Sequence, residues 1–136
     1  SQIQQYSKKI SGPLLDRIDL VISVQKVAHK HLLSVNNQPL QSKEILQRVL
    51  VARSVQGQRF SSPSTTNSHM TNRQISEKAH LTDSAKQFLE QAAAKLSLSA
   101  RSYMKVIKVA RTIADLDQSK ETTVSHITEA LQYRPR

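Results

Sequence analysis

The chain has 136 residues, a formal net charge of +10, 4% aromatic residues and no cysteine. These values exclude a disulfide scaffold and a thiolate metal site, and they require a core of aliphatic side chains. No apolar run is long enough to span a bilayer and the polar N-terminal residues lack a signal-peptide core, so we expect a cytoplasmic protein with no membrane partner. The positive charge favours a polyanion or an acidic protein as partner, but a basic part of a larger protein is an equally good interpretation.

The first predicted element is a short β-strand. Residues 19–24 form an apolar, β-branched run bounded by charge, which is typical of a buried strand. A glycine and a proline in residues 11–13 break the helical pattern that precedes it. Because a lone strand has no hydrogen-bonding partners, we expect this strand to be frayed or weakly paired here. It is also the first sign that the chain belongs to a larger protein.

The remaining predicted elements are helices. After a polar connection from residue 26, Ser42 is a plausible N-cap of a helix over residues 42–58, and residues 59–72 form a mobile loop rich in Ser, Thr and Asn. Thr71 and Gln74 form a capping box for a short helix that ends near residue 79. Three further helices begin near Thr82, near Ser99, and at either Thr123 or Ser125. The expected fold is mostly α, a small helical bundle preceded by one orphan strand.

The helix that follows Ser99 has an apolar stripe and several charged positions. Its predicted inward residues are Ala100, Tyr103, Ile107, Ala110 and Ala114. Asp115 and Asp117 are interpreted as the end of this helix and a loop. The five histidines are predicted to lie at the surface or in loops, because no metal-ligand spacing connects them, and no metal site is expected. They are His29, His31, His69, His80 and His126.

The same helix carries a basic face. Arg101, Lys105, Lys108 and Thr112 follow the spacing of one helical side. This face is either a phosphate or nucleic-acid surface, or simply the solvated side of an amphipathic helix. Arg101 lies in the first turn, where a cation is disfavoured by the helix dipole, and this suggests that another requirement places it there.

The chain has no glycine-rich phosphate-binding loop. Its two glycines, Gly12 and Gly57, cannot form a P-loop or a dinucleotide-binding fingerprint. We therefore expect no nucleotide hydrolysis and no cofactor for this chain alone.

Three segments resemble the magnesium-chelatase family of AAA+ ATPases, in its ComM/YifB-like branch. They are residues 11–20, residues 98–116 and, more weakly, residues 126–134. The resemblance implies that residues 1–25 are the C-terminal end of the AAA+ core, residues 26–72 a connection with one helix, and residues 73–136 the helical lid. It also implies that Arg17 is the arginine finger acting on a neighbouring subunit, and that Arg101 is the sensor-2 arginine that contacts the nucleotide. The alternative for Arg17 is a surface arginine paired with Asp16 or Asp19.

The resemblance further implies the activity of the full-length protein. That protein would bind ATP and magnesium through its own upstream AAA+ core and assemble into a homo-oligomeric ring, a hexamer, which handles DNA. The alternative function is a stand-alone basic helical module that binds nucleic acid, and the third is a metal-chelatase subunit.

Overall fold

The computed structural model describes residues 17–24, 26 and 39–134. Within these ranges the chain is predominantly helical. The elements are α1 (Pro39–Phe60), a 3-10 helix (Asn67–His69), α2 (Asn72–Lys78), α3 (Asp83–Leu96), α4 (Ala100–Leu116) and α5 (Val124–Gln132). The described part contains no named strand, and an isolated parallel bridge joins Leu81 to Thr122. The predicted mostly helical fold is confirmed.

The polar residues before α2, α3 and α4 act as N-caps. The hydroxyl groups of Thr71, Thr82 and Ser99 each accept a hydrogen bond from the backbone N–H three residues later, at 3.3, 3.2 and 3.1 Å. Such a bond satisfies one of the free donors of the first turn. At α5 the cap is Thr123 rather than Ser125, and its N–H donates to Nδ1 of His126 at 3.0 Å. These helix starts are therefore encoded locally.

Helix α1 is longer than the sequence pattern predicted. It begins at Pro39, so the prediction of Ser42 as the N-cap is wrong, and it ends at Phe60 rather than at residue 58. Proline is favoured in a first helical turn because its missing N–H would have no helical partner there. The two extra residues at the other end place Arg59 on the helix, although it was expected in the following loop.

The Ser/Thr/Asn-rich segment after α1 is attached to the bundle at several residues, among them Asn67 and Ser68. Asn67 is 1% exposed, and its backbone N–H donates to Oε1 of Gln56 at 3.2 Å. The predicted mobile loop therefore contains a short 3-10 helix with a buried anchor.

Helix α4 lies at the centre of the bundle. It contacts α1, α2, the 3-10 helix and α5, and α3 packs on α5. The predicted core positions Ile107, Ala110 and Ala114 are buried, whereas Ala100 is exposed, contrary to the prediction. Leu89 on α3 and Ile127 on α5 are fully buried, and burial of such a side chain contributes about 1.5–3 kcal/mol.

The predicted strand is not formed. Residues 18–24 have no regular secondary structure, and the backbone N–H of Val21 donates to the carbonyl oxygen of Tyr133 at 2.7 Å. Ile22 and Val24 are 70% and 87% exposed. The described residues provide no second strand with which this segment could pair, which is the physical reason for the difference. The expectation of weak pairing agrees with this.

In the described ranges no helix combines the length and apolar content needed to cross a membrane. Asp16, His29, His31 and the break at residues 11–13 lie outside the described residues, and the division of the chain after residues 25 and 72 stays a prediction.

Candidate functional site

A groove of about 950 Å³ runs along one side of α4. Its lining includes all four basic residues that the sequence analysis singled out, namely Arg17, Arg101, Lys105 and Lys108. Arg17 is distant from the other three in the sequence, so the groove is assembled by the packing of residues 17–20 beside α4. The structure therefore brings the two predicted nucleotide-facing arginines to one surface.

Arg101 lines this groove at the N-terminal end of α4. It is exposed and occupies the first turn of α4, two residues after the Ser99 cap. The first turn of a helix carries the positive end of the helix dipole, which raises the cost of an unpaired cation and favours an anion. A negatively charged group beside Arg101 would thus be attracted by the side chain and by the helix.

Lys105 contacts the segment that carries Arg17. Its Nζ lies 3.0 Å from Oδ1 of Asp19 and donates to the carbonyl oxygen of Ile18 at 3.2 Å. The Lys105 side chain is 18% exposed, against 60% for Asp19. Asp19, which the sequence offered as an alternative partner of Arg17, is thus paired with Lys105.

Lys108 contacts the 3-10 helix on the other side of the groove. Its Nζ donates to the carbonyl oxygen of Ser68 at 2.9 Å. One turn later, the Thr112 hydroxyl donates to the carbonyl oxygen of Lys108 at 2.9 Å and accepts from Nδ2 of Asn67 at 3.1 Å. A lysine amine has three donors, so this contact with the chain leaves Lys108 capacity for a second acceptor.

A buried ion-pair network lies next to the groove, and Thr112 of the groove lining is bonded to one of its members, Asn67. Asp115 and Arg111 have side chains that are 0% and 1% exposed, and Arg111 Nη2 donates to Asp115 Oδ1 at 2.8 Å. Arg59 of α1 reaches the same carboxylate, with Nη1 at 2.7 Å from Oδ2 and Nη2 bonded to Oδ1. Asn67 Nδ2 donates to Asp115 Oδ2 at 2.8 Å. One carboxylate therefore joins α1, the 3-10 helix and α4.

The network keeps its members charged in spite of their burial. Burial alone would raise the pKa of Asp115, but hydrogen bonds from Arg59 and Asn67 and the positive charges of both arginines outweigh it and lower the pKa. Burial lowers the pKa of Arg111, and the attraction of Asp115 opposes that change. The result is a buried cluster of one anion and two cations.

Arg111 also fixes the loop between α4 and α5. Its Nη2 donates to the carbonyl oxygen of Ser119 at 2.6 Å and its Nη1 to that of Lys120 at 2.9 Å. The Thr122 hydroxyl, at 3.3 Å from Nη1, donates in turn to the carbonyl oxygen of Ala79 at 2.7 Å. Backbone carbonyls in a connection between helices have no helical hydrogen-bond partner, and Arg111 supplies the donors for two of them in this loop.

This network was not predicted from the sequence. Asp115 was predicted to lie near the end of a helix, and it does, because α4 ends at Leu116; what the sequence did not reveal is that its carboxylate is buried. A signal was present, because Arg111 and Asp115 are four residues apart and continue the stripe of Ile107, Ala110 and Ala114. Charged residues on an apolar stripe indicate a buried pair.

The histidine prediction also needs one correction. His126 is 7% exposed and lies in the first turn of α5, so it is neither a surface nor a loop residue. It accepts the Thr123 N–H as part of the helix cap, which explains its burial. In the part of the chain that the structure describes, no group of three His, Cys, Asp or Glu residues is placed to hold a metal ion.

Comparison with known proteins identifies the family. Residues 39–134 match the model of the C-terminal region of the magnesium chelatase subunit ChlI, and residues 1–32 match the model of magnesium chelatase subunit ChlI. The chain is 36% identical over 133 residues to competence protein ComM of Haemophilus influenzae and 35% identical over 134 residues to YifB of Escherichia coli. An uncharacterized protein of Mycobacterium bovis is 26% identical over 132 residues.

These matches cover 98% of this chain for the first two relatives, but only 26% of each relative. The chain thus spans about a quarter of the length of the curated relatives that it matches. Because the C-terminal family model covers most of the chain, the family is established. The chain belongs to the magnesium-chelatase family, in its ComM/YifB-like branch, and corresponds to the C-terminal part of these proteins.

Proposed function

We propose that this chain is the lid and subunit-interface part of a cytoplasmic, ATP-hydrolysing ring motor. In this proposal residues 1–25 complete the AAA+ core, residues 26–72 connect it to the lid, and residues 73–136 form the lid. ATP and magnesium are bound by the upstream core of the full-length protein. The observation that supports the proposal is the shared groove, in which Arg17 and Arg101 lie together although they are distant in sequence.

The two arginines have different tasks in this proposal. Arg101 binds the terminal phosphate of the nucleotide held by its own subunit, so that the position of α4 depends on whether that phosphate is present. Arg17 reaches the nucleotide of the neighbouring subunit and stabilises the charge that develops on the transferred phosphoryl group. A guanidinium suits both tasks because it is always charged and can donate two parallel hydrogen bonds to phosphate oxygens.

The test uses the full-length protein. We expect Arg17→Ala to lower kcat for ATP by about 10³-fold, and Arg101→Ala to raise KM for ATP and also lower kcat. Arg73→Ala is the matched control, because Arg73 is 87% exposed, pairs with Glu77 within α2 and does not line the groove. Unchanged turnover in both Arg17→Ala and Arg101→Ala would refute the proposal.

A mixing experiment tests whether the two arginines serve different subunits. Rings assembled from equal amounts of Arg17→Ala and Arg101→Ala subunits contain some interfaces in which an intact Arg17 meets a neighbour with an intact Arg101. In a random mixture these are roughly a quarter of all interfaces, so activity should reappear on mixing. If both arginines serve the nucleotide of their own subunit, no mixture regains activity.

Nucleic-acid binding is the second candidate function, and it is compatible with the first. It is favoured by the net charge of +10 and by the basic lining of the groove. Titration with labelled single- and double-stranded DNA should give an affinity that falls steeply with salt, and Lys108→Ala should weaken it more than Lys86→Ala on the exposed side of α3. An affinity that does not respond to salt would exclude a phosphate-binding role.

A further inference from the structure

Residues 17–24 are held to the helical bundle by polar contacts. Lys105 donates to the carbonyl oxygen of Ile18 and pairs with Asp19, and the Val21 N–H donates to the carbonyl oxygen of Tyr133. Hydrophobic burial contributes little to this attachment, because Leu20 and Ile22 are 51% and 70% exposed. The position of this segment therefore depends on a small number of identifiable bonds.

The contact with Lys105 is the one closest to Arg17. Ile18 and Asp19 are the next residues along the chain, and Lys105 binds the backbone of one and the carboxylate of the other. The Lys105 side chain is largely buried, with 18% exposed. The partly desolvated Lys105 amine already has two acceptors, the Asp19 carboxylate and the Ile18 carbonyl oxygen. A phosphate would have to compete with Asp19 for this amine.

We propose that Lys105 is a positioning residue that clamps the Arg17 segment to α4, rather than a ligand of phosphate. The proposal rests on the proposed role of Arg17 as a finger for the neighbouring subunit. Arg101 lies one turn before Lys105 on the same helix, so a displacement of α4 by nucleotide at Arg101 is transmitted through Lys105 to Asp19 and Arg17. The nucleotide state of one subunit thereby sets the position of the arginine offered to the next.

Charge reversal separates a clamp from a phosphate ligand. If Lys105 holds Asp19, then Lys105→Glu breaks the pair, Asp19→Lys breaks it as well, and the double variant restores an ion pair of opposite polarity. If Lys105 instead binds phosphate, the double variant still carries a carboxylate where the phosphate needs a cation, and no rescue follows.

The first measurement is amide hydrogen exchange of Val21 in the 136-residue chain. We expect exchange about threefold faster or more in each single variant, and a return towards the parent rate in the double variant. Lys86→Glu is the control, because it removes a pair with Asp83 of the same length, 3.0 Å, on exposed side chains of α3. Parent-like exchange in Lys105→Glu, or no recovery in the double variant, would overturn the clamp.

The second measurement is ATP turnover by the full-length protein. Both single variants should lower kcat and the double variant should recover it, while KM for ATP changes little. Rescue of Val21 exchange without rescue of turnover would overturn the positioning role. The two proposals can fail separately, because unchanged turnover in Arg17→Ala refutes the finger assignment and leaves the exchange result untouched.

Discussion

Substitution of Asp115 should be among the most destabilising single changes in this chain. Its carboxylate is fully buried and accepts hydrogen bonds from Arg59, Arg111 and Asn67. Asp115→Asn keeps the size of the side chain but leaves two guanidinium groups buried next to each other without an anion. Removal of one partner from a buried ion pair costs about 3–5 kcal/mol, and the repulsion between two cations adds to this.

The size of the effect can be compared with known stabilities. Domains of this size have unfolding free energies of about 5–15 kcal/mol, so the variant should lose a large fraction of its stability. With about 4–8 °C per kcal/mol for a domain of about 60–100 residues, a range that includes the bundle over residues 39–134, a loss of 3 kcal/mol or more lowers Tm by at least about 12 °C. The assay is urea denaturation followed by circular dichroism, with Tm as a second readout.

Two variants make the prediction specific to the charge balance. Arg59→Met removes one of the two cations and leaves the neutral pair of Arg111 and Asp115, so it should cost clearly less than Asp115→Asn. Glu77→Gln removes the carboxylate of an Arg–acid pair with the same four-residue spacing, but on exposed side chains, and should cost less than about 1 kcal/mol. Equal losses for Asp115→Asn and Glu77→Gln, or for Asp115→Asn and Arg59→Met, would refute the reasoning.

Two further predictions concern pH and backbone strain. The pKa of Asp115 is lower in the folded chain than its ordinary value of about 4, so the carboxylate contributes stability above that value, and this contribution is lost as pH falls through the folded pKa. The unfolding free energy should therefore drop more steeply below pH 4 in the parent than in Asp115→Asn. Identical slopes for the two proteins would contradict this. Ser97 ends α3 in the left-handed conformation with φ 49°, which glycine adopts without strain. Ser97→Gly should therefore raise the unfolding free energy by about 0.5–1 kcal/mol. The control, Ser76→Gly inside α2, should lower it by a similar amount. A loss of stability in Ser97→Gly would show that its side chain matters more than its backbone.

The parts of the fold that depend on neighbouring residues could be predicted from the sequence. Thr71, Thr82 and Ser99 begin helices because a hydroxyl three residues before a free N–H is a local arrangement. The same local reasoning predicted a strand over residues 19–24 that does not form, because a strand is stable only when another strand pairs with it. The same run of residues forms an irregular segment when its partners are the Lys105 side chain and the backbone carbonyl oxygen of Tyr133.

The parts of the site that depend on distant residues could not be predicted. Asp115 is buried because Arg59, which is 56 residues away along the chain, completes its hydrogen bonds. Lys105 was assigned to a phosphate face by its spacing from Arg101, but spacing does not reveal that Asp19 lies opposite it. The role of a charged residue thus depends on which oppositely charged residue packs against it. For Asp115 and Lys105 that partner is distant in the sequence, so only the tertiary structure identifies it.

Helix α4 carries charged residues in two different environments, the lining of the groove and the buried interior. At an advance of about 100° per residue, Arg101, Lys105 and Lys108 fall within an arc of about 60°, while Arg111 lies about 60° beyond Lys108. The first three line the groove, and Arg111 is bonded to Asp115 in the interior. Since Asp115 also binds Arg59 and Asn67, α4 cannot move relative to the end of α1 or the 3-10 helix without breaking buried ionic bonds, which is costly. These elements should therefore move as one body, and a change in the distance between Arg17 and Arg101 requires release of the more weakly held contacts at Lys105 and Val21.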